Sequence, residues 1–293
     1  MSKAGLLPSK NRLENIPKLI SDFYLLKPIH SEAKHKVSFG TSGHRGKATQ
    51  KSFNQNHILA ITQAICDYRS SQGINGKLFL AKDTHALSYP AELTAISVLI
   101  ANGVETYIAK DNGYTPTPAI SHAIICENIG TNDKSDGIVI TPSHNPPSDG
   151  GIKYNTPDGG PADTDVTKWI ENRANELLEN SLKGVKYLSI EEAQNSKHLH
   201  HFDFVSNYVS DLKNIIDIDA IKSAGIKIGA DCLGGSGMEY YRAIKSTYGL
   251  DMDILHDYVD EQFGFMHLDH DEKIRMDCSS PYAMRGLIDL KDK

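Results

Sequence analysis

Asp136-Gly137-Ile138-Val139-Ile140-Thr141-Pro142-Ser143-His144-Asn145-Pro146-Pro147 is the stretch on which the fold turns. Its first half carries three consecutive β-branched residues, Ile138, Val139 and Ile140, the composition of a strand buried on both faces. Its second half cannot continue that strand. Pro142, Pro146 and Pro147 lack a backbone N–H and fix φ, so the chain around Ser143 and His144 is held in few conformations. A polar, proline-bounded loop at the C-terminal end of a buried strand is where α/β folds place their ligands.

Upstream, strands and helices alternate. The spacing predicts a helix over 57–69, with Ile58, Leu59, Ile61, Ile65 and Cys66 on one face, and a strand over 77–82 around Leu78-Phe79-Leu80. A helix over 88–102 follows, with Pro90 near its start and Gly103 as its stop. A strand over 104–110 and a helix over 115–126, introduced by two prolines, complete the series. Such alternation implies parallel β-α-β units. The expected fold is therefore α/β, with mixed, mostly parallel sheets and helices packed on them.

Downstream, residues 163–182 read as a polar helix, and a mixed segment containing His198, His200 and His201 reads as a connection. The alternation then restarts with a helix over 204–216, a strand over 226–231 and a helix opened by Gly234-Gly235-Ser236-Gly237. A strand over 252–255 and charged helical sequence end the chain. The expected organisation is an extension over 1–36, a first unit over 37–162, a connection over 163–203 and a repeat of the same layout, incomplete, over 204–293.

At 293 residues and 39% hydrophobic content the chain can bury two cores. Its formal net charge of -6 argues against general nucleic-acid binding, which needs a basic face, and means that an anionic ligand must meet a local cluster of cations. Cys66, Cys126, Cys232 and Cys278 lie far apart with no CxxC pair, which suggests neither a zinc site nor a disulfide framework. The N-terminus has no long apolar core, and the longest apolar run, near 95–101, is too short to span a bilayer. A soluble, cytoplasmic protein without a membrane partner is expected; the sequence assigns no oligomeric state.

Two further strings bear on chemistry. Phe39-Gly40-Thr41-Ser42-Gly43-His44-Arg45-Gly46 combines three glycines, which let backbone amides approach an anion, with an arginine whose planar fork suits a phosphate and a histidine that adds a donor. Asp149-Gly150-Gly151-Ile152-Lys153-Tyr154-Asn155 carries a lysine that neighbouring cations would bring toward proton transfer; alone, a lysine on an edge strand is more often merely solvated. In Lys82-Asp83-Thr84-His85-Ala86-Leu87-Ser88 and Asn112-Gly113-Tyr114-Thr115-Pro116-Thr117-Pro118, Asp83 and Thr84 read as shaping a strand-to-helix turn and Thr115 as a helix cap.

Taken together these strings resemble the α-D-phosphohexomutase superfamily. The later ones, Asp231-Cys232-Leu233-Gly234-Gly235 and Arg275-Met276-Asp277-Cys278-Ser279-Ser280-Pro281, are most similar to its bacterial phosphoglucomutase branch. The likeness runs from about Phe39 onward. It implies that Ser143 carries a phosphoryl group, which adds about -1.5 to -2 charge and three acceptor oxygens, and that Mg2+ attends it. It further implies that His44 and Arg45 line the catalytic cleft, that Lys153 is the general acid/base with His144 assisting, and that Thr41, Ser42 and Asn145 join them in binding substrate. The implied reaction interconverts glucose 1-phosphate and glucose 6-phosphate through glucose 1,6-bisphosphate.

The family's magnesium loop, Asp-x-Asp-x-Asp-Arg, has no counterpart here, and Asp269-His270-Asp271 imitates it only in part. The family's sugar-specificity and distal phosphate loops are also missing. The expectation is an N-terminal piece of a mutase that does not turn over alone. A mutase for mannose or glucosamine phosphates, or a non-catalytic phosphosugar-binding protein, stays open beside it. A serine hydrolase fits poorly, because Ser143 and His144 are adjacent and no Gly-x-Ser-x-Gly occurs.

Overall fold

The computed structural model describes residues 2–40 and 43–290. Its centre is the predicted strand β4 (Asp136–Ile140), every residue of which is buried. β4 lies parallel to β2 (Leu78–Lys82), which lies parallel to β3 (Thr106–Ala109). On the other side β5 (Asp149–Asn155) runs antiparallel to β4, and β1 (His44–Lys47) antiparallel to β5. With β6 (Leu199–Phe202) parallel to β3, the six-stranded order is β1-β5-β4-β2-β3-β6.

The pleat sends alternate side chains of β4 to opposite layers. Ile138 and Ile140 join Leu78 and Leu80 against α2 (Gln55–Gln72) and α3 (Ser88–Ala101), where Phe23 of α1 (Ile16–Leu25) also packs. Val139 joins Phe79 and Ala81 against α4 (Thr117–Asn128). Gly137 permits that approach, since a Cβ there would lie 2.9 Å from Ile124 Cδ1. Helix α2 starts in a capping box made by Asn54 and His57 and stops at Gly73, whose φ of 66° closes its last turn.

Two elements differ from expectation in the stretch read as a connection. Helix α5 (Thr164–Glu179) is amphipathic rather than polar, burying Thr167, Ile170, Ala174, Leu177 and Leu178 against α2. β6 was not anticipated, because its Leu-His-His-Phe lacks an apolar alternation. An edge strand tolerates such polarity. Glu105 accepts from His198 Nδ1 at 2.5 Å and His200 Nε2 at 2.6 Å, and His200 stacks on Tyr107.

One buried charge pair secures the start of β4. Asp136 accepts from Arg69 Nε at 2.9 Å and from the Tyr154 hydroxyl at 2.6 Å, while Arg69 Nη2 donates to Gly76 O at 2.7 Å. Burial pushes the Asp136 carboxyl up to about 6 against the pull of Arg69.

Beyond β6 the chain forms a second, two-stranded sheet. β7 (Ile228–Asp231) and β8 (Met252–Leu255) pair in parallel, with α7 (Met238–Tyr248) crossing between them. Tyr240, Ala243 and Ile244 of α7 pack with Phe204 and Val209 of α6 (Phe204–Asp211) on the α4 face of the first sheet. Beyond it Phe263, Met266, Leu268 and Ile274 form a small cluster with Leu13 of the N-terminal arm. The arm is pinned there: Gly5 N donates to Leu268 O at 2.7 Å, Leu268 N to Leu6 O at 2.9 Å, and Arg12 Nη2 to Glu272 Oε2 at 2.9 Å. Among the described residues no helix is long and apolar enough to cross a membrane.

Candidate active site

Ser143 stands three residues beyond β4 with φ of 69°, a left-handed conformation that few non-glycine residues adopt. The turn is held from within: Ser143 N donates to Thr141 Oγ1 at 2.8 Å, and Thr141 N donates to Gly151 O at 2.9 Å. The Ser143 side chain is exposed, and its Oγ lies 3.4 Å from Nδ1 of exposed His144.

The loop rests on a buried brace. His85 Nε2 donates to Asn145 O at 2.9 Å and its Nδ1 meets Asp83 Oδ2 at 3.0 Å. Asp83 also accepts from His85 N at 3.0 Å and from Ser88 Oγ at 2.6 Å. Burial opposes both charges, yet the pairing prevails: the Asp83 carboxyl is held below its ordinary range and the His85 imidazole above it. Asn145 donates from its side chain to Asp149 Oδ2 at 3.0 Å, so its amide braces the loop from inside. His85 is the functional residue that sequence reasoning passed over; its signal was a histidine two positions after Asp83 in a segment otherwise read as a turn.

On the sheet beside the loop, β5 and β1 place the two expected cations together. Arg45 pairs with Gly151 and Val139 with Lys153, and partners across a ladder share a face, so Arg45 and Lys153 point to the same side of the sheet. Burial lowers the Lys153 pKa below its ordinary value, nearby Arg45 lowers it further, and Asp83 opposes both. Gly43 lies beneath Lys153: a Cβ there would sit 2.7 Å from Lys153 Cγ and 2.5 Å from Ile152 O.

The same alternation corrects the expectation for His44. Its neighbour Arg45 faces outward, so His44 faces the core, where it is 2% exposed. Its Nε2 donates to Ser52 O at 2.8 Å and its ring stacks between Phe53 and His57. Burial lowers its pKa, and it does not line the cleft. Gly46 of that string likewise serves packing, since a Cβ on it would meet Ser52 O at 2.4 Å. Thr41 and Ser42 lie outside the described residues.

Ser143 and His144 open into a cleft of about 360 Å³. Asp83, His85 and Thr141 line one side, Pro116, Thr117 and Pro118 another, and Leu233, Ser236, Phe263 and Met276 close it from the 233–276 segment. Met276 N donates to His144 O at 3.2 Å, and Phe263 packs at a tilt against His85 with centroids 5.1 Å apart. Ser143 beside His144 at the mouth of this cleft, with two cations on the adjoining sheet face, suits transfer of an anionic group.

The acidic turn does not suit a metal. Asp271 accepts from Arg275 Nη2 at 2.7 Å and pairs with Lys273 at 3.0 Å, and these partners hold its carboxyl far below the ordinary range. Asp269 accepts from the Ser280 hydroxyl and from His270 N at 2.7 Å. Among the described residues no group of three or more His, Cys, Asp or Glu is placed to hold a metal ion.

Residues 36–181 match the family model of phosphoglucomutase/phosphomannomutase, α/β/α domain I. Over 99% of its length the chain is 50% identical to a phosphoglucomutase of Komagataeibacter xylinus, covering 52% of that protein. It is 35% identical over 206 residues to a cytoplasmic phosphoglucomutase of Mesembryanthemum crystallinum, of which it covers 34%. The chain thus spans about half the length of the first relative and about a third of the second. Its fold is that of parafusin, a phosphoglucomutase of Paramecium in an open form, with a TM-score of 0.67 at 23% identity, over 91% of this chain and 49% of that one.

Proposed function

The chain belongs to the phosphoglucomutase/phosphomannomutase family, and we propose that within it Ser143 is the phosphoryl carrier for interconverting glucose 1-phosphate and glucose 6-phosphate. One observation carries the reading: an exposed serine held left-handed at the end of β4, in a cleft whose neighbouring sheet face bears Arg45 and Lys153.

In the forward step the bond from phosphorus to Ser143 Oγ breaks as one to the sugar hydroxyl oxygen forms. The hydroxyl proton passes to the neutral Lys153 amine, and Ser143 Oγ takes a proton from His144. The bisphosphate then turns over, and the reverse step returns its other phosphoryl group to Ser143, with Lys153 as acid and His144 as base. Arg45 offsets charge on the transferring group, where positioning and electrostatics supply most of the rate.

Magnesium is the family's ion and belongs to this reading, as does glucose 1,6-bisphosphate as activator. The described residues supply no carboxylate set for the metal, and phosphate uptake by Ser143 is the half-reaction proposed for residues 1–293. A cytoplasmic location is proposed with the function, in keeping with the plant relative's name.

The test is intact-mass measurement after incubation with magnesium and glucose 1,6-bisphosphate. Wild-type protein should gain one phosphate and release glucose monophosphate, and Ser143→Ala should gain none. Equal uptake by Ser143→Ala would overturn the assignment.

A further inference from the structure

Lys82 and Glu92 take no part in the chemistry above, yet each is only 2% exposed. Lys82 ends β2, next to Asp83 of the brace. Its Nζ pairs with Glu92 Oε2 of α3 at 2.8 Å, and donates to Asn112 Oδ1 at 2.9 Å and Gly113 O at 3.2 Å. The rings of Tyr89 and Tyr114 each stand 5.5 Å from the same nitrogen. Burial raises the Glu92 carboxyl against the pull of Lys82, and its Oε1 has no hydrogen-bond partner among the described residues.

As a source of stability this pair is a poor choice. Desolvating both charges offsets most of their attraction, and well-packed apolar residues of similar size commonly serve as well or better. What the charge does distinctively is hold a loop. Asp111 and Asn112 are consecutive left-handed residues, with φ of 54° and 56°, a strained pair that persists only where the surroundings impose it. Lys82 grips that loop by the Asn112 side chain and the Gly113 carbonyl, and its own carbonyl accepts from Thr115 N at 3.0 Å. Pro116, Thr117 and Pro118, which follow at once, form a wall of the cleft into which Ser143 opens.

We infer that Lys82 and Glu92 are positioning residues, which fix the 110–115 loop and through it the α4 wall of the cleft for phosphoryl transfer at Ser143. The inference rests on the proposed function. It assigns the segment from Lys82 a part in the reaction geometry, where the sequence suggested only a turn.

The experiment compares wild type, Lys82→Met, the double variant Lys82→Met/Glu92→Leu, and Asn112→Gly. Each is followed by thermal unfolding, amide exchange at Gly113 and Thr115, and the rate of phosphate uptake from glucose 1,6-bisphosphate. Lys82→Met leaves a buried acid unpaired and should unfold at lower temperature. The double variant should recover most of that loss yet exchange faster at both amides. Its limiting rate of uptake should fall on the order of 100-fold, with a smaller change in the half-saturating donor concentration, because a misplaced wall spoils alignment more than binding. Asn112→Gly removes a loop contact without touching the core, and should move exchange and rate in the same direction even if the double variant does not fold. Wild-type protein that takes no phosphate overturns the functional reading, and the catalytic role of the pair with it, whatever the loop does. Phosphorylated wild type beside variants of unchanged rate and unchanged loop exchange overturns the positioning role alone.

Discussion

At the scale of single residues, two adjacent positions show how a strand divides labour. His44 and Arg45 follow one another in β1, and the pleat sends His44 to the core and Arg45 to the face that carries Lys153. Arg45 acts through Lys153, since its charge helps hold the lysine below its ordinary value. In phosphate uptake Lys153 is the acid, so the rate must fall as pH rises through its pKa. Arg45→Ala removes a repulsion and lets that pKa climb back. The alkaline limb of the pH–rate profile should therefore move to higher pH in the variant, whatever happens to the height of the curve. Profiles for the two proteins, measured at saturating donor, decide it; a limb that stays in place or moves to lower pH removes Lys153 from the role.

At the scale of elements, the serine turn depends on how closely β5 passes beneath it. A Cβ on Gly151 would lie 2.3 Å from Thr141 O and 2.8 Å from Pro142 Cα, both backbone atoms that cannot swing aside. Gly151→Ala should cost about 1–3 kcal/mol of stability, as overpacking does. It should also slow uptake on the order of 100-fold by displacing Ser143. Denaturant unfolding and the uptake rate measure the two effects. β4 and its loop were legible in the sequence because a buried β-branched run and three prolines are local signals. β6 was not, because an edge strand needs no apolar alternation, and α5 was read as polar although its few apolar residues fall on one face. The placement of His44 follows from the period-two rule, which puts neighbouring strand residues on opposite faces of the sheet. Met276 and Phe263 owe their places to contacts far apart in sequence, which no local pattern announces, and His85 owes its reach to Asn145 to the same cause.

At the scale of the whole molecule, residues 5–12 meet residues 268–272 from far along the chain. The N-terminal arm holds the turn around Leu268 and Glu272, and the segment beyond it reaches His144 through Met276. Deleting residues 2–13 should speed amide exchange at Leu268 and its neighbours while leaving the core of α2 protected, and exchange measured by mass spectrometry would register the difference. Equal protection at Leu268 would mean that the turn holds itself. The same closure puts five hydroxyl side chains around one cleft: Thr84, Thr117, Thr141, Ser143 and Ser236. Each carries a hydroxyl oxygen of the kind that accepts a phosphate. Only Ser143 combines exposure with the left-handed turn that presents its oxygen, and Thr84 and Thr141 are buried. Peptide mapping of the phosphorylated protein tests this choice most directly: phosphate confined to Ser143 is the predicted result, and phosphate on any of the other four with Ser143 unmodified would contradict the account.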